Sequence, residues 1–140
     1  MFTIDPSTRL GRTAAARLRD SIVVWLTTVD PAGRPQPTPV WFLWTGSEVL
    51  IFSRPGKAKL RNIAANPGVS LNFDGNGRGG DIVVLTGDAV LDGEPPTAEE
   101  LAAYDEKYAA DIKRIGMTPG TFHASYSVPL RFRPVRLRAI

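Results

Sequence analysis

Apolar and polar positions change period several times along this chain, and each change marks an element. Behind Asp5-Pro6, which reads as an N-cap followed by proline at the first helical position, Leu10, Ala14 and Leu18 recur at helical spacing over 7–19. Residues 21–29 (SIVVWLTTV) are rich in β-branched and aromatic side chains and predict a largely buried strand. The turn Asp30-Pro31-Ala32-Gly33 leads into a second strand over about 36–44, whose Pro37 and Pro39 predict a sheet edge or a bulge. A third strand is expected over 48–53, a short helix over 57–65 and a fourth strand over 69–73. A glycine-rich connection, 74–80, precedes a fifth strand over 81–91. Thr97-Ala98-Glu99-Glu100 is a capping box, and Leu101, Tyr104, Tyr108, Ile112 and Ile115 then follow one face of a helix. The final strand, over about 122–139, alternates through Leu130, Arg131, Phe132 and Arg133. Its alternation slips by one residue at Pro134, which predicts a bulge.

Strands in hairpin order with peripheral helices predict an antiparallel barrel or α+β roll in a single domain, 1–140, and the βαβ alternation of a doubly wound sheet is absent. No apolar run is long enough to span a bilayer and no apolar leader is visible, so a cytoplasmic protein without a membrane partner is expected. The absence of cysteine removes disulfides, thiolate metal sites and cysteine nucleophiles. With one histidine, His123, a two-histidine metal site cannot form within the chain, and no metal is expected. His123 reads as structural, since nothing near it in sequence forms an acid–base pair.

The net charge of +3 is mild, but its distribution is uneven: basic residues gather in 54–61 and 131–138, acidic ones in 92–111. The first cluster is the more informative. Lys57, Lys59 and Arg61 fall in the first turns of a helix, where the macrodipole disfavours cations. An anion placed there would meet free backbone N–H groups and several cationic side chains together, as a phosphate does. A solvated helix face is the alternative. Residues 75–80 (GNGRGG) match the spacing of a dinucleotide fingerprint, yet a strand rather than a helix follows, so a hairpin connection is expected. Trp41, Phe42 and Trp44 put aromatic rings on both faces of a strand, in keeping with core packing or with a planar heterocycle alongside. Basic residues flanking a strand–helix junction, without interleaved aromatics, do not form a nucleic-acid groove, and no nucleic-acid partner is expected.

Taken in order, residues 30–36 (DPAGRPQ), Pro39-Val40-Trp41-Phe42 and residues 54–71 (RPGKAKLRNIAANPGVSL) resemble the split β-barrel flavin and deazaflavin oxidoreductases related to pyridoxamine 5′-phosphate oxidase. The sequence is most similar to the actinobacterial branch that uses the deazaflavin coenzyme F-420, over about 14–138. The resemblance implies an antiparallel split β-barrel with peripheral helices, homodimeric, with cofactor sites at the dimer interface. It places Lys57, Lys59, Arg61 and Asn62 at the phosphate, with Lys59 the best match. Phe52 and Ser53 fall beside the ring system, and Thr38, Pro39, Val40 and Trp41 on the strand whose backbone lies against it. Arg78, Arg131 and Arg133 are the candidates for contacts from the second subunit. The short C-terminal part lacks the Arg/His set that would hold pyridoxamine phosphate.

The function implied is an oxidoreductase in which F-420 passes hydride to a small organic substrate, with Tyr126 or His123 as candidate proton donors. An FMN-dependent oxidoreductase of the same fold, or a non-enzymatic flavin or haem carrier, is the alternative.

Overall fold

A computed structural model describes residues 2–139. Helix α1 (Arg9–Asp20) begins one turn later than Asp5-Pro6 suggests, because Thr8 caps it, its Oγ1 accepting from Gly11 N at 2.9 Å. Asp5 Oδ1 accepts instead from Ser7 N and Ser7 Oγ, a local turn upstream of the helix. Ala14 and Leu18 are fully buried as expected, and Leu10 packs at the edge of the core.

Seven strands form one antiparallel sheet: β1 (Val24–Val29), β2 (Pro35–Val40), β3 (Leu43–Trp44), β4 (Val49–Ser53), β5 (Gly68–Asn72), β6 (Val83–Val90) and β7 (Val128–Ala139). Their order is β2-β1-β5-β6-β7-β4-β3, a curled half-barrel, so the antiparallel class read from the sequence stands. β1 starts at Val24 rather than Ser21, and Ile22 and Val23 are exposed, so the buried strand is shorter than its composition suggests. β2 is the predicted edge. Its register sets Pro35, Pro37 and Pro39 opposite Val29, Thr27 and Trp25. The ladder on β1 is then made by the non-proline residues between them, and the missing N–H groups fall on the free edge, which disfavours pairing with another strand.

The second strand expected over 36–44 is interrupted at Trp41-Phe42, and a hydroxyl explains why. Phe42 N donates to Tyr108 Oη at 2.8 Å, and that hydroxyl donates to Ile22 O at 2.7 Å, with Phe42 O at 3.1 Å. Lys107 Nζ donates to Phe42 O at 2.9 Å and lies 3.7 Å from the centre of the Phe42 ring. Burial pulls the Lys107 pKa down to about 8, against the attraction of Asp20. A break in the ladder is thus satisfied by side chains of one distant helix. Removing the hydroxyl by Tyr108→Phe strands the Phe42 N–H in the interior. It is expected to destabilise the chain by about 1–3 kcal/mol, read as a lower urea midpoint at unchanged m-value.

That helix is also shorter than predicted. The capping box forms, with Thr97 Oγ1 accepting from Glu100 N and Glu100 Oε1 from Thr97 N, but α3 (Ala98–Lys107) stops at Tyr108 and α4 (Ala109–Arg114) follows. Tyr104, Tyr108 and Ile112 are buried as their spacing implies, whereas Ile115 is 42% exposed. A further helix, α5 (Pro119–Ser125), occupies the start of the expected final strand, which begins only at Val128. Thr118 and Thr121 cap it reciprocally, with Pro119 at its first position. The bulge expected near Pro134 is present. Thr86 pairs with Arg136 and Gly87 with Pro134, leaving Val135 as the extra, exposed residue.

The remaining helix, α2 (Ala58–Ala65), lies against β1. Ile63 packs inward beside Asn62, the second buried position, while Ala64 is exposed. Asn62 Nδ2 donates to Thr28 Oγ1 at 3.0 Å, which satisfies two buried polar groups at once. The core divides into a main cluster inside the sheet and an aromatic cluster of Tyr104, Tyr108, Ile112 and Phe122 under α3–α5. Among the described residues no helix is long and apolar enough to cross a membrane.

Candidate functional site

Where β2 breaks toward β3, the aromatic cluster opens to the surface as a cleft of about 290 Å³. β2 contributes Pro39, Val40 and the adjoining Trp41; β4 contributes Phe52; α2 contributes Lys59; α3 and α5 contribute Tyr104 and Phe122; Ile115 and Tyr126 complete the wall. Its rings form a ladder. Trp41 stacks on Tyr108 (4.8 Å between centroids, 9° between planes) and on Phe122 (5.6 Å, 18°), and Phe122 stacks on Tyr126 (4.5 Å, 15°). Phe52 meets Tyr104 edge-on at 4.8 Å. Each such pair contributes about 0.5–1.5 kcal/mol beyond its buried area, which favours a pre-formed wall. Burial pushes the Tyr104 and Tyr108 hydroxyls well above the ordinary phenol range, so both remain protonated.

Lys59 is the cation inside this cleft. It is half-buried, and burial together with the nearby positive charge of Lys57 lowers its pKa. Among the described residues no carboxylate lies within ion-pair distance of Lys57, Lys59, Arg61 or Arg54. The N-cap of α2, Lys57, makes no side-chain hydrogen bond, and the first turn holds no acidic residue. Cations, unfilled N–H donors and a helix N-terminus therefore converge with nothing of opposite sign to meet them. This is the environment of an anion site, and these residues fit a phosphate-bearing planar group. A larger hollow of about 350 Å³ near the start of α1 has no aromatic wall and is lined by both Arg9 and Asp81. It lacks this combination.

Of the residues singled out from the sequence, Pro39, Val40, Trp41, Phe52 and Lys59 come together on the cleft. Thr38 is half-buried one residue further along β2. Lys57 and Arg61 are exposed on the same end of α2, where Arg61 Nη1 donates to Gly56 O at 2.9 Å. Ser53 is buried, its Oγ donating to Arg54 O at 2.8 Å, and Asn62 faces Thr28. Arg78 is exposed in the β5–β6 connection, which is a hairpin held by Asn76 Oδ1 accepting from Arg78 N and Gly80 N. Arg131 and Arg133, expected to reach toward a second subunit, are occupied within their own chain: Arg131 pairs with Glu100 at 2.6 Å and Arg133 with Glu48 at 2.8 Å. The sequence reading passed over Tyr104, Phe122 and Arg54. Arg54 lies 4.9 Å from the centre of the Tyr126 ring. The helical spacing of Tyr104 marked it as buried, but nothing in the sequence places α5 against β2.

A curled antiparallel sheet with an aromatic cleft at a cationic strand–helix junction defines the split-barrel class of flavin and deazaflavin oxidoreductases and their relatives. The chain belongs to the pyridoxamine 5′-phosphate oxidase family, whose model matches residues 10–137. Among solved structures it is similar to an F-420 reductase (24% identity, TM-score 0.63, covering 88% of this chain and 94% of that one). It is also similar to HutZ, the haem storage protein of Vibrio cholerae (17%, 0.68, 94% and 95%). A third is the conserved hypothetical protein Rv2991 of Mycobacterium tuberculosis (19%, 0.69, 99% and 88%). At these identities the likeness is one of fold. No curated protein sequence matches the chain.

Proposed function

We propose that this chain is a cytoplasmic, homodimeric oxidoreductase that binds coenzyme F-420 and uses it to reduce a small organic substrate. The observation that carries the reading is Lys59, a half-buried ammonium without a carboxylate partner, set in an aromatic cleft at a helix N-terminus. Lys59 would hold the cofactor phosphate, with Lys57, Arg61 and the free N–H groups of α2 completing the grip. Phe52 and the backbone of residues 38–41 would flank the ring, and Ser53 would fix the end of β4 beside it. Asn62 acts from behind by holding α2 on β1. When bound, the reduced deazaflavin supplies a hydride from its ring C5 to an electrophilic carbon of the substrate. The chain's part is to position the ring, exclude water from its aromatic face and neutralise the phosphate. The cleft is open, with Ile115 42% exposed beside it and Ile22 exposed elsewhere on the surface. A second copy would close over it, with Arg78 available for contact.

FMN in place of F-420 meets the same phosphate requirement. A non-enzymatic haem or flavin carrier is the competing reading from another class, favoured by the likeness to a haem storage protein. Fluorescence and absorbance titration of the purified protein with F-420, FMN and haem side by side separates the three. F-420 is expected to bind the most tightly, and Lys59→Ala to weaken it at least about tenfold, the lower range for a charged hydrogen bond. Unchanged affinity in that variant would refute the assignment of Lys59. Tight haem binding with no turnover of F-420 would favour the carrier.

A further inference from the structure

A second cleft adjoins the first, with Phe52 and Tyr126 common to both. It encloses about 290 Å³, and Pro96, Leu101, Asp105, His123, Ser127 and Pro129 complete its lining. Its walls are apolar and aromatic, and its polar centre is a carboxylate–imidazole pair. His123 Nε2 lies 2.7 Å from Asp105 Oδ1, and both side chains are partly exposed. The imidazole is fixed by its neighbours: Phe52 and Phe122 meet it edge-on at 4.9 and 5.3 Å. Among the described residues its Nδ1 is buried without a partner, and the bond to Asp105 is the one hydrogen bond orienting the ring. No other hydrogen bond to the Asp105 carboxylate is present among the described residues, which leaves Oδ2 free to accept.

The surrounding charges decide which kind of ligand this suits. Glu100, five residues before on α3, is neutralised by Arg131. Lys107, two residues on, turns its ammonium to Phe42 O. Arg54 lies over the Tyr126 ring, its guanidinium 4.9 Å from the ring centre. Asp105 thus keeps an unused acceptor on this cleft, with His123 as its one polar partner among the described residues, whereas Lys59 has no carboxylate partner on the other. Phe52 and Tyr126 separate a cleft that holds an ammonium from one that holds a carboxylate.

The geometry points to the Asp105–His123 cleft as a binding site for a small organic ammonium ion with an aromatic body. The ammonium donates to Asp105 Oδ2, His123 holds the carboxylate in place through Oδ1, and the ring lies against Phe52 and Tyr126, where a cation beside an aromatic face gains further attraction. Asp105 and His123 are thereby given a role outside the cofactor cleft.

His123 is the chain's single histidine, so its ring resonances in a proton NMR spectrum are assigned without ambiguity. Benzylamine, protonated at neutral pH, is titrated into the cofactor-free protein at fixed pH against its neutral isostere benzyl alcohol and against benzoate. Benzylamine is expected to shift the His123 ring protons saturably, at about millimolar affinity for a ligand of this size. Benzyl alcohol and benzoate are expected to bind at least tenfold more weakly. Asp105→Asn keeps an acceptor for His123 while removing the charge, and is expected to weaken benzylamine at least tenfold. Equal binding of the alcohol or of benzoate, no shift at all, or parent affinity in Asp105→Asn would overturn the proposal. The ligand comparison needs no variant, so it stands if the variant misfolds. Because no cofactor is present, failure here leaves the reading of Lys59 untouched.

Discussion

Arg131→Ala is expected to destabilise the protein by about 3 kcal/mol at pH 7, the lower range for breaking a buried ion pair from one side. Arg131 is 5% exposed. Its guanidinium grips Glu100 with both terminal nitrogens, Nη1 to Oε2 at 2.9 Å and Nη2 to Oε1 at 2.6 Å. Nε donates to Glu94 O at 2.8 Å, and Nη2 also reaches Pro95 O at 3.3 Å. One side chain on β7 therefore fastens α3 and the loop before it to the sheet. Alanine removes that fastening, leaves two carbonyls without their donor and strands the Glu100 carboxylate. The pH dependence provides a second reading. The hydrogen bond from Arg131 comes first among the causes that hold Glu100 down at about 2, from an ordinary 4.5. A carboxyl depressed in the folded state stabilises it above its unfolded pKa, and that stabilisation is lost as pH falls from 4.5 toward 2. Urea unfolding of parent and variant should accordingly show a gap that is widest at neutral pH and narrows through this window. A gap independent of pH would mean that lost packing of the arginine stem, not the charge pair, accounts for the effect.

The same residue shows how far the sequence could be read. Alternation along 130–133 correctly gave a strand with Leu130 and Phe132 buried. Arg131, which the resemblance offered as a contact to a second subunit, is instead buried within its own chain, because alternation identifies a face but not what covers it. The cover is the segment from Glu94 to Glu100, which is distant in sequence, and its capping box was legible only as a helix start. Lys59 and Trp41 were legible as a site because charge against a dipole and an aromatic strand are local signals. Phe122 was not, since α5 occupies a stretch whose apolar residues read equally as a strand. What sets β2 and β3 apart is likewise remote: the interruption at Phe42 depends on the hydroxyl of Tyr108. In each case the local pattern fixed a propensity and a tertiary hydrogen bond or ion pair decided the outcome.

Gly87→Ala is expected to destabilise the protein by about 3 kcal/mol, the upper end of the usual cost of overpacking, and to lower the thermal midpoint by about 10 °C. Gly87 sits at the bulge, where β7 carries its extra residue, and the two backbones come close. A Cβ there would collide with the Arg133 carbonyl oxygen and lie 2.9 Å from Pro134 Cα. Both obstacles are main chain, so no side-chain rotation relieves them. Gly120→Ala is the comparison: its Cβ would meet nothing closer than 3.8 Å inside α5, and alanine is the better helix former by about 0.5–1 kcal/mol. If the two variants had equal midpoints, close approach at the bulge would not be what fixes this register. The register matters beyond stability. β7 pairs on its other side with β4, where Pro129 stands opposite Phe52 and Val128 opposite Ser53. A displaced β7 therefore moves the strand that carries the shared wall of both clefts. In Gly87→Ala the His123 ring protons, 4.9 Å from Phe52 between ring centres, should shift even under conditions where the protein remains folded.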